Sequence, residues 1–315
     1  MNILMLGNKD SGKTTYMSSA FGLMEKGVSG FFIKTDTSSR EWFHKLFQAI
    51  SRGEYPSATD KRNSYEFSLY YNQKKILDFN WIDYNGGVIT EKSIDHLGED
   101  IEKSEGMMIF LEAEALWKNQ MFVHRFRRIV SLITQKLEKG EQPLFSLIIV
   151  LTKYDRIPGN ISMEAVTQTI QPFLQTTQDN KKLYTRIVPV SCTNKGFYNV
   201  ELPLLDILDS GMQLEYLTAC AQASEYNEKY KEYTAKIGIM DWALSKLLGT
   251  KTNGELASEY YKKAYEKIEL FQSIEVPTKN LRNFVANYKI ELPGRAEEHF
   301  KIQRNNRSGR QFIEL

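Results

Sequence analysis

The sequence predicts an α/β fold, a mostly parallel sheet flanked by helices and followed by a largely helical C-terminal extension. Three observations carry that expectation. Short continuous apolar runs of strand length, such as Ile3-Leu4-Met5-Leu6 and Leu147-Ile148-Ile149-Val150-Leu151, recur over the first two thirds of the chain with helix-compatible stretches between them. Runs that are continuous rather than alternating belong to strands covered on both faces, as in parallel sheets. Residues 7–14 read GNKDSGKT, a complete G-x-x-x-x-G-K-[ST] loop set between the first such run and a helix candidate. Beyond Gly211 the composition shifts toward Tyr, Lys, Glu and Ala, and strand-like runs give way to helical spacing.

In chain order, strands are expected near 2–6, 65–71, 76–82, 107–111, 144–151 and 183–190, with helices between. The stretch 29–54 holds Phe31-Phe32-Ile33-Lys34-Thr35, read as a strand, then a helical pattern over 38–51. That pattern carries Trp42, Phe43, Leu46, Phe47 and Ile50, a stripe read as core packing rather than an effector surface. Residues 200–208 read as a closing helix with Pro203 in its first turn. Leu214, Leu217, Ala221, Tyr226, Tyr230 and Tyr233 fall near one helical face, a further helix is expected over 255–271, and 249–254 reads as an exposed loop.

Composition sets the bounds. A chain of 315 residues suits two domains or one large one, and 42% hydrophobic residues support a sizeable core. The balance of 41 basic and 39 acidic residues provides no long-range field, so nucleic acid is not expected as a partner. No apolar run reaches membrane-spanning length, and the first strand begins too early to leave room for a signal peptide. Cys192 and Cys220 suggest neither a disulfide framework nor a zinc site, so a cytoplasmic setting is expected. The four histidines are scattered, and the basic stretch 295–310 reads as a solvated tail, with an anionic surface as the alternative.

The loop at 7–14 has a phosphate-binding chemistry. Gly7 and Gly12 permit the curl in which the backbone amides of Asn8, Lys9, Asp10 and Ser11 form an anion nest. The helix that follows aims further unpaired N–H groups at the same place. Lys13 sets a cation against β- and γ-phosphates, the Thr14 hydroxyl is a Mg2+ ligand, and Thr15 is a contact to the α-phosphate. After the strand at 144–151 stands Thr152-Lys153-Tyr154-Asp155, and after that at 183–190 stands Ser191-Cys192-Thr193. A further strand-like run ends in Asp83-Tyr84-Asn85-Gly86, a D-x-x-G sequence that a hairpin turn would also satisfy.

Taken in order, these elements resemble the TRAFAC class of P-loop GTPases, the Ras-like G domain, across residues 1 to about 212. Thr152, Lys153 and Asp155 then correspond to the guanine-specificity motif. An aspartate there accepts from the ring N–H and exocyclic amine of guanine, and adenine would leave the charge unpaired, a costly outcome. The Lys153 stem would lie along the base with its ammonium returning toward the phosphate loop. Ser191, Cys192 and Thr193 resemble the segment whose backbone amide reaches the guanine carbonyl, with Cys192 in place of the usual alanine. Asp83 would hold Mg2+ through a water and the Gly86 amide would donate to the γ-phosphate. The switch threonine has no sharp signature. Thr59 is the choice by position, and Thr35, Thr37 and Ser57 compete with it. Catalytic contacts implied are therefore Lys13, Thr59 and Gly86, with Thr14, Thr59 and Asp83 around the metal.

The resemblance implies a G domain over 1–212 with an insertion at about 29–54, and a mainly helical 213–315 as a candidate partner-binding region. The insertion resembles that of the paired GTPases of bacterial conflict systems. The implied activity is that of a switch binding GTP and GDP, with slow Mg2+-dependent hydrolysis and a protein effector or activating partner, a second GTPase among the candidates. Slow turnover is expected because Gly87 stands where many relatives carry the glutamine that orients water. Asn85 is a weak substitute. A hydrolysis-deficient nucleotide-binding scaffold is the alternative. A P-loop ATPase or kinase is a third reading that leaves Asp155 without a task.

Overall fold

In the computed structural model, residues 1–57, 62–84, 91–120, 123–139, 144–238, 241, 245–246 and 248–291 are described, with 91–96, 123–125 and 178 by their backbone alone. Thr59, Asn85, Gly86, Gly87 and the basic tail at 295–310 lie outside these residues. The described chain divides into two units, Met1–Gly211 together with residues 283–291, and Met212–Arg282.

The first unit is built on one seven-stranded sheet. Its strands are β1 (Asn2–Gly7), β2 (Phe31–Thr35), β3 (Asn63–Tyr71), β4 (Lys74–Asp83), β5 (Gly106–Glu112), β6 (Phe145–Thr152) and β7 (Leu183–Pro189), in the order β2-β3-β4-β1-β5-β6-β7. β3 runs antiparallel to both neighbours, and the strands from β4 to β7 are parallel. This is the Ras-like P-loop GTPase type of α/β sheet, with β2 added at its edge. The continuous apolar runs sit where two-sided burial requires them: β6 is buried at all eight positions. Leu4, Leu6, Ile109, Leu111, Leu147 and Ile149 form one core with Ile129, Ile133 and Leu137 of α5 (Val123–Lys139).

The alternate positions face the helix that follows the phosphate loop, α1 (Lys13–Met24), and a cluster of aromatic rings. Phe21 stacks on Phe43 at 5.1 Å, and Phe43, Phe67 and Phe79 continue the contact to the sheet. Phe43 comes from α2 (Thr37–Ser51), whose first turn is capped by Asp36 accepting from the Ser39 amide at 3.0 Å. Phe43 and Ile50 are buried, so the stripe in the insertion does pack into the core, while Trp42 remains partly exposed and stacks on Tyr65.

Two local differences from the sequence expectation bear on the site. The last expected strand stops at Pro189, and Ser191–Thr193 forms instead a small antiparallel ribbon with Gly196–Tyr198 (β8 and β9). The closing helix, α8 (Glu201–Ala235), is far longer than its periodic core and passes from the first unit into the second. The final helix, α9 (Asn253–Asn287), begins with a capping box: the Glu255 amide donates to the Thr252 hydroxyl at 3.1 Å and the Thr252 amide to the Glu255 carboxylate at 2.8 Å. Residues 283–291 belong again to the first unit and not with Met212–Arg282, within the stretch expected as one extension over 213–315.

Within the second unit, tyrosines join α8 to α9. Tyr233 stacks on Tyr260 at 5.5 Å, Tyr230 meets Tyr261, and Tyr216 meets Phe271 edge-on. Met212, Ala219, Ala223, Ala257, Ala264, Ile274 and Leu281 are among its buried apolar positions. Among the described residues no helix is long and apolar enough to cross a membrane.

Candidate functional site

The carboxyl ends of β1, β6 and β7 surround a cleft of about 320 Å³, the place where open α/β sheets bind ligands. One side is the phosphate loop, from Lys9 through Tyr16. The other is Thr152, Lys153, Asp155, Arg156, Val190, Cys192 and Thr193. Two stretches about 140 positions apart in the chain thus face one volume, together with Tyr55, Pro56 and Ser57 at the rim.

Local backbone explains the loop. Gly12 takes φ +86, the left-handed region that suits glycine, and Asp10 (φ 62) is also left-handed. At Gly7 the constraint is space: an added Cβ would lie 2.6 Å from the Ser11 hydroxyl and 2.9 Å from the Phe110 carbonyl. The Lys13 ammonium donates to the carbonyls of Gly7 (3.0 Å) and Asn8 (3.3 Å), folded over the loop it is to serve. Burial holds its pKa below the usual lysine value, and the charges of Asp83 and Asp10 oppose that shift.

Asp83 ends β4 beside Met5 of β1, and its carboxyl is buried at 2% exposure. Burial pushes its pKa up to about 6 against the pull of Lys13. Its Oδ1 has no hydrogen-bond partner among the described residues. A buried, desolvated carboxylate oxygen without a donor, next to a hydroxyl-bearing loop, fits a hard divalent cation, which takes oxygen ligands.

The opposite wall of the cleft is fastened by side chains as well as by backbone. The Thr152 hydroxyl donates to the Ser11 carbonyl at 2.8 Å and so fastens the second motif to the first. The Ser191 hydroxyl donates to Asp155 Oδ1 at 2.6 Å, fixing the carboxylate at the cleft wall. Cys192 lies half-buried in the cleft wall, and desolvation pushes its thiol up to about 12.

Lys153 corrects an expectation. Its ammonium does not return to the phosphate loop; it pairs with Glu112 at 2.8 Å, and Arg156 approaches the same carboxylate at 3.6 Å. The reason is local. Lys153 is left-handed (φ 52), Glu112 stands opposite Thr152 in the β5–β6 register, and Thr152 already makes the link to the loop. Glu112, Arg156 and the rim residues Tyr55 and Pro56 were not anticipated. Glu112 ends an apolar run at the carboxyl edge of a parallel strand, and that position alone could have marked it. Of the competitors for the switch threonine, Ser57 lines the cleft, whereas the Thr35 hydroxyl donates to the Glu66 carbonyl on the edge strand pair.

No family model matches this chain, and no curated protein matches it. Solved structures similar to it include the mammalian SRP receptor, at 17% identity over 66% of this chain and 100% of that one, with a TM-score of 0.37. The Ski7 GTPase-like domain of S. cerevisiae bound to GDP and inorganic phosphate is 14% identical over 61% of this chain and 43% of that one, TM-score 0.38. The Arl6 BBS3 small GTPase from Trypanosoma brucei with bound GppNp is 14% identical over 62% and 88%, TM-score 0.35. At these TM-scores it is the strand order and the loop geometry above, and not the likenesses, that define the class as a GTPase-like α/β fold.

Proposed function

We propose that this chain is a guanine-nucleotide-binding switch that hydrolyses GTP to GDP and phosphate slowly and with Mg2+. The observation that supports it best is the shared cleft: the phosphate loop and the carboxylate of Asp155 line one volume, tied by the Thr152–Ser11 hydrogen bond. Its size falls at the lower end of the roughly 300–1,000 Å³ usual for small-molecule sites.

In this reading the loop amides and Lys13 hold the phosphates, and Thr15 contacts the α-phosphate. Asp155, oriented by Ser191, reads the guanine edge, with Cys192 and Thr193 closing the wall. Thr14 and Asp83 would hold Mg2+, and by the sequence expectation Thr59 and the Gly86 amide complete the γ-phosphate contacts. When bound, the divalent cation neutralises charge on the β- and γ-oxygens. The protein contributes position and charge rather than covalent chemistry. The first unit would be the nucleotide-binding domain and the helices beyond residue 212 the surface for an effector or activating partner, a second GTPase included.

Chromatography of the nucleotide released on denaturing the purified protein tests the reading. Guanine nucleotide is the expected result; adenine nucleotide, with no affinity for added GDP, sinks it. Gly87 keeps one rival alive, a scaffold without hydrolysis. GTP retained for many hours without phosphate release, with and without partners, would favour the scaffold.

A further inference from the structure

Asn199 does not line the cleft, yet it stands at a junction between the base-reading segments and the part of the chain that returns from the second unit. It is buried at 2% exposure and left-handed at φ 57, a conformation asparagine tolerates better than most residues. Its side-chain amide donates to the Pro189 carbonyl at 2.9 Å and to the Glu291 carbonyl at 2.8 Å. Its Oδ1 accepts from the Glu291 amide at 2.9 Å. One side chain therefore satisfies the peptide groups of residue 291 in both directions while gripping the end of β7.

The connection continues into the site. The Val190 amide, next after Pro189, donates to Leu151 at 2.8 Å, and the Val190 carbonyl accepts from the Tyr154 amide at 3.2 Å. These two bonds bracket Thr152 and Lys153. Ser191, one residue further, holds Asp155. Residues 283–291 are anchored at two more points: the Tyr288 hydroxyl donates to Glu201 at 2.8 Å, and the fully buried Arg186 reaches the Val285 carbonyl at 3.5 Å while pairing with Asp206 at 2.8 Å. A buried amide that loses its partners cannot remain where it is without cost, because unsatisfied buried donors and acceptors are strongly disfavoured. If residue 291 leaves, Asn199 has to move or rehydrate, and the Pro189-Val190 corner moves with it.

We propose that Asn199 is a positioning residue that couples the docking of residues 283–291 to the base-reading end of the cleft, so that the docked segment slows nucleotide release and its undocking speeds release. This rests on the guanine-binding reading above. Linkage makes the coupling reciprocal: nucleotide binding must also tighten the docking.

Release of a fluorescent GDP analogue from the full chain tests it. Asn199→Gly keeps the left-handed backbone and deletes the side-chain bonds. It is expected to speed release about tenfold. Tyr288→Phe, which loosens the same segment elsewhere, is expected to speed release by a smaller factor. Wild-type release rates in both variants, even with lowered thermal midpoints, would overturn the coupling and leave Asn199 a structural residue. Should Asn199→Gly fail to fold, hydrogen exchange on the wild-type chain decides: GDP is expected to slow exchange of the Glu291 amide, and unchanged exchange overturns the proposal. Wild-type protein without affinity for GDP would instead overturn the guanine-binding reading itself.

Discussion

At the phosphate end of the cleft, nine consecutive residues, Gly7 to Thr15, carry most of the proposed contacts, and a single left-handed glycine with one tight glycine contact shapes them. At the base end, the groups come from three separate stretches and are held by side-chain bonds: Thr152 to Ser11, Ser191 to Asp155, and Lys153 to Glu112. The first end is shaped mostly within one strand–loop–helix, with a single tight contact to Phe110 of β5. The second exists only when β5, β6 and β7 are in register. A mutation at the phosphate end should therefore act on every nucleotide alike, while one at the base end should act on choice among bases.

The largest effect is expected from Lys13→Ala. Removing the buried cation should weaken GDP and GTP about 10²–10³-fold, with the preference for guanine over adenine unchanged. Titration calorimetry with both bases checks it, and a change in preference would erase the division between the ends. Asp155→Asn should cost about 10²-fold in GDP affinity and raise affinity for xanthine nucleotides, whose edge offers the complementary pattern. Guanine affinity equal to wild type would refute the assignment of that carboxylate.

A third test separates the metal side from both. Burial raises the Asp83 pKa from 3.8 to about 6, so its stabilising contribution is present at low pH and is lost as pH rises through about 6. Asp83→Asn should then stabilise the nucleotide-free protein by about 1–3 kcal/mol at pH 7, and the gap should shrink toward pH 4. Thermal melts of the two proteins across that range measure it; a gap independent of pH would show that the charge of Asp83 carries no such cost. The smallest effect is expected from Glu112→Ala, whose pair with Lys153 is partly exposed and worth at most about 1 kcal/mol. GDP affinity should fall about two- to fivefold, and in a double-mutant cycle with Lys153→Ala the losses should be less than additive.

Much of this fold was legible beforehand. The runs at 3–6 and 147–151 announced buried parallel strands, and the run at 31–35 announced a strand whose place at the sheet edge it could not announce. The turn between a strand and a helix at residues 7–14 was read in full. Asp155 and Ser191 were read by type and order, but nothing in their spacing told that the serine would hold the aspartate. The Lys153 contact was misread because the contest between two acceptors, loop carbonyls and the Glu112 carboxylate, is settled by distances across neighbouring strands. Asn199 left no signal at all, since one asparagine before a helix is common and its partner is 92 positions away.

The amino-acid sequence alone determined what depends on neighbours along the chain: the two-sided burial of the strands, the curl of residues 7–14, the helical character of the described residues beyond 212. A loop that binds through its own consecutive amides carries its geometry in its residue types. Tertiary structure decided how the wall around Asp155 is assembled, where the charge of Lys153 goes, and that residue 291 is linked through Asn199 to the end of β7. Those outcomes turn on hydrogen bonds between residues about 40 to 140 positions apart, whose energies depend on separations that only the packed sheet brings about.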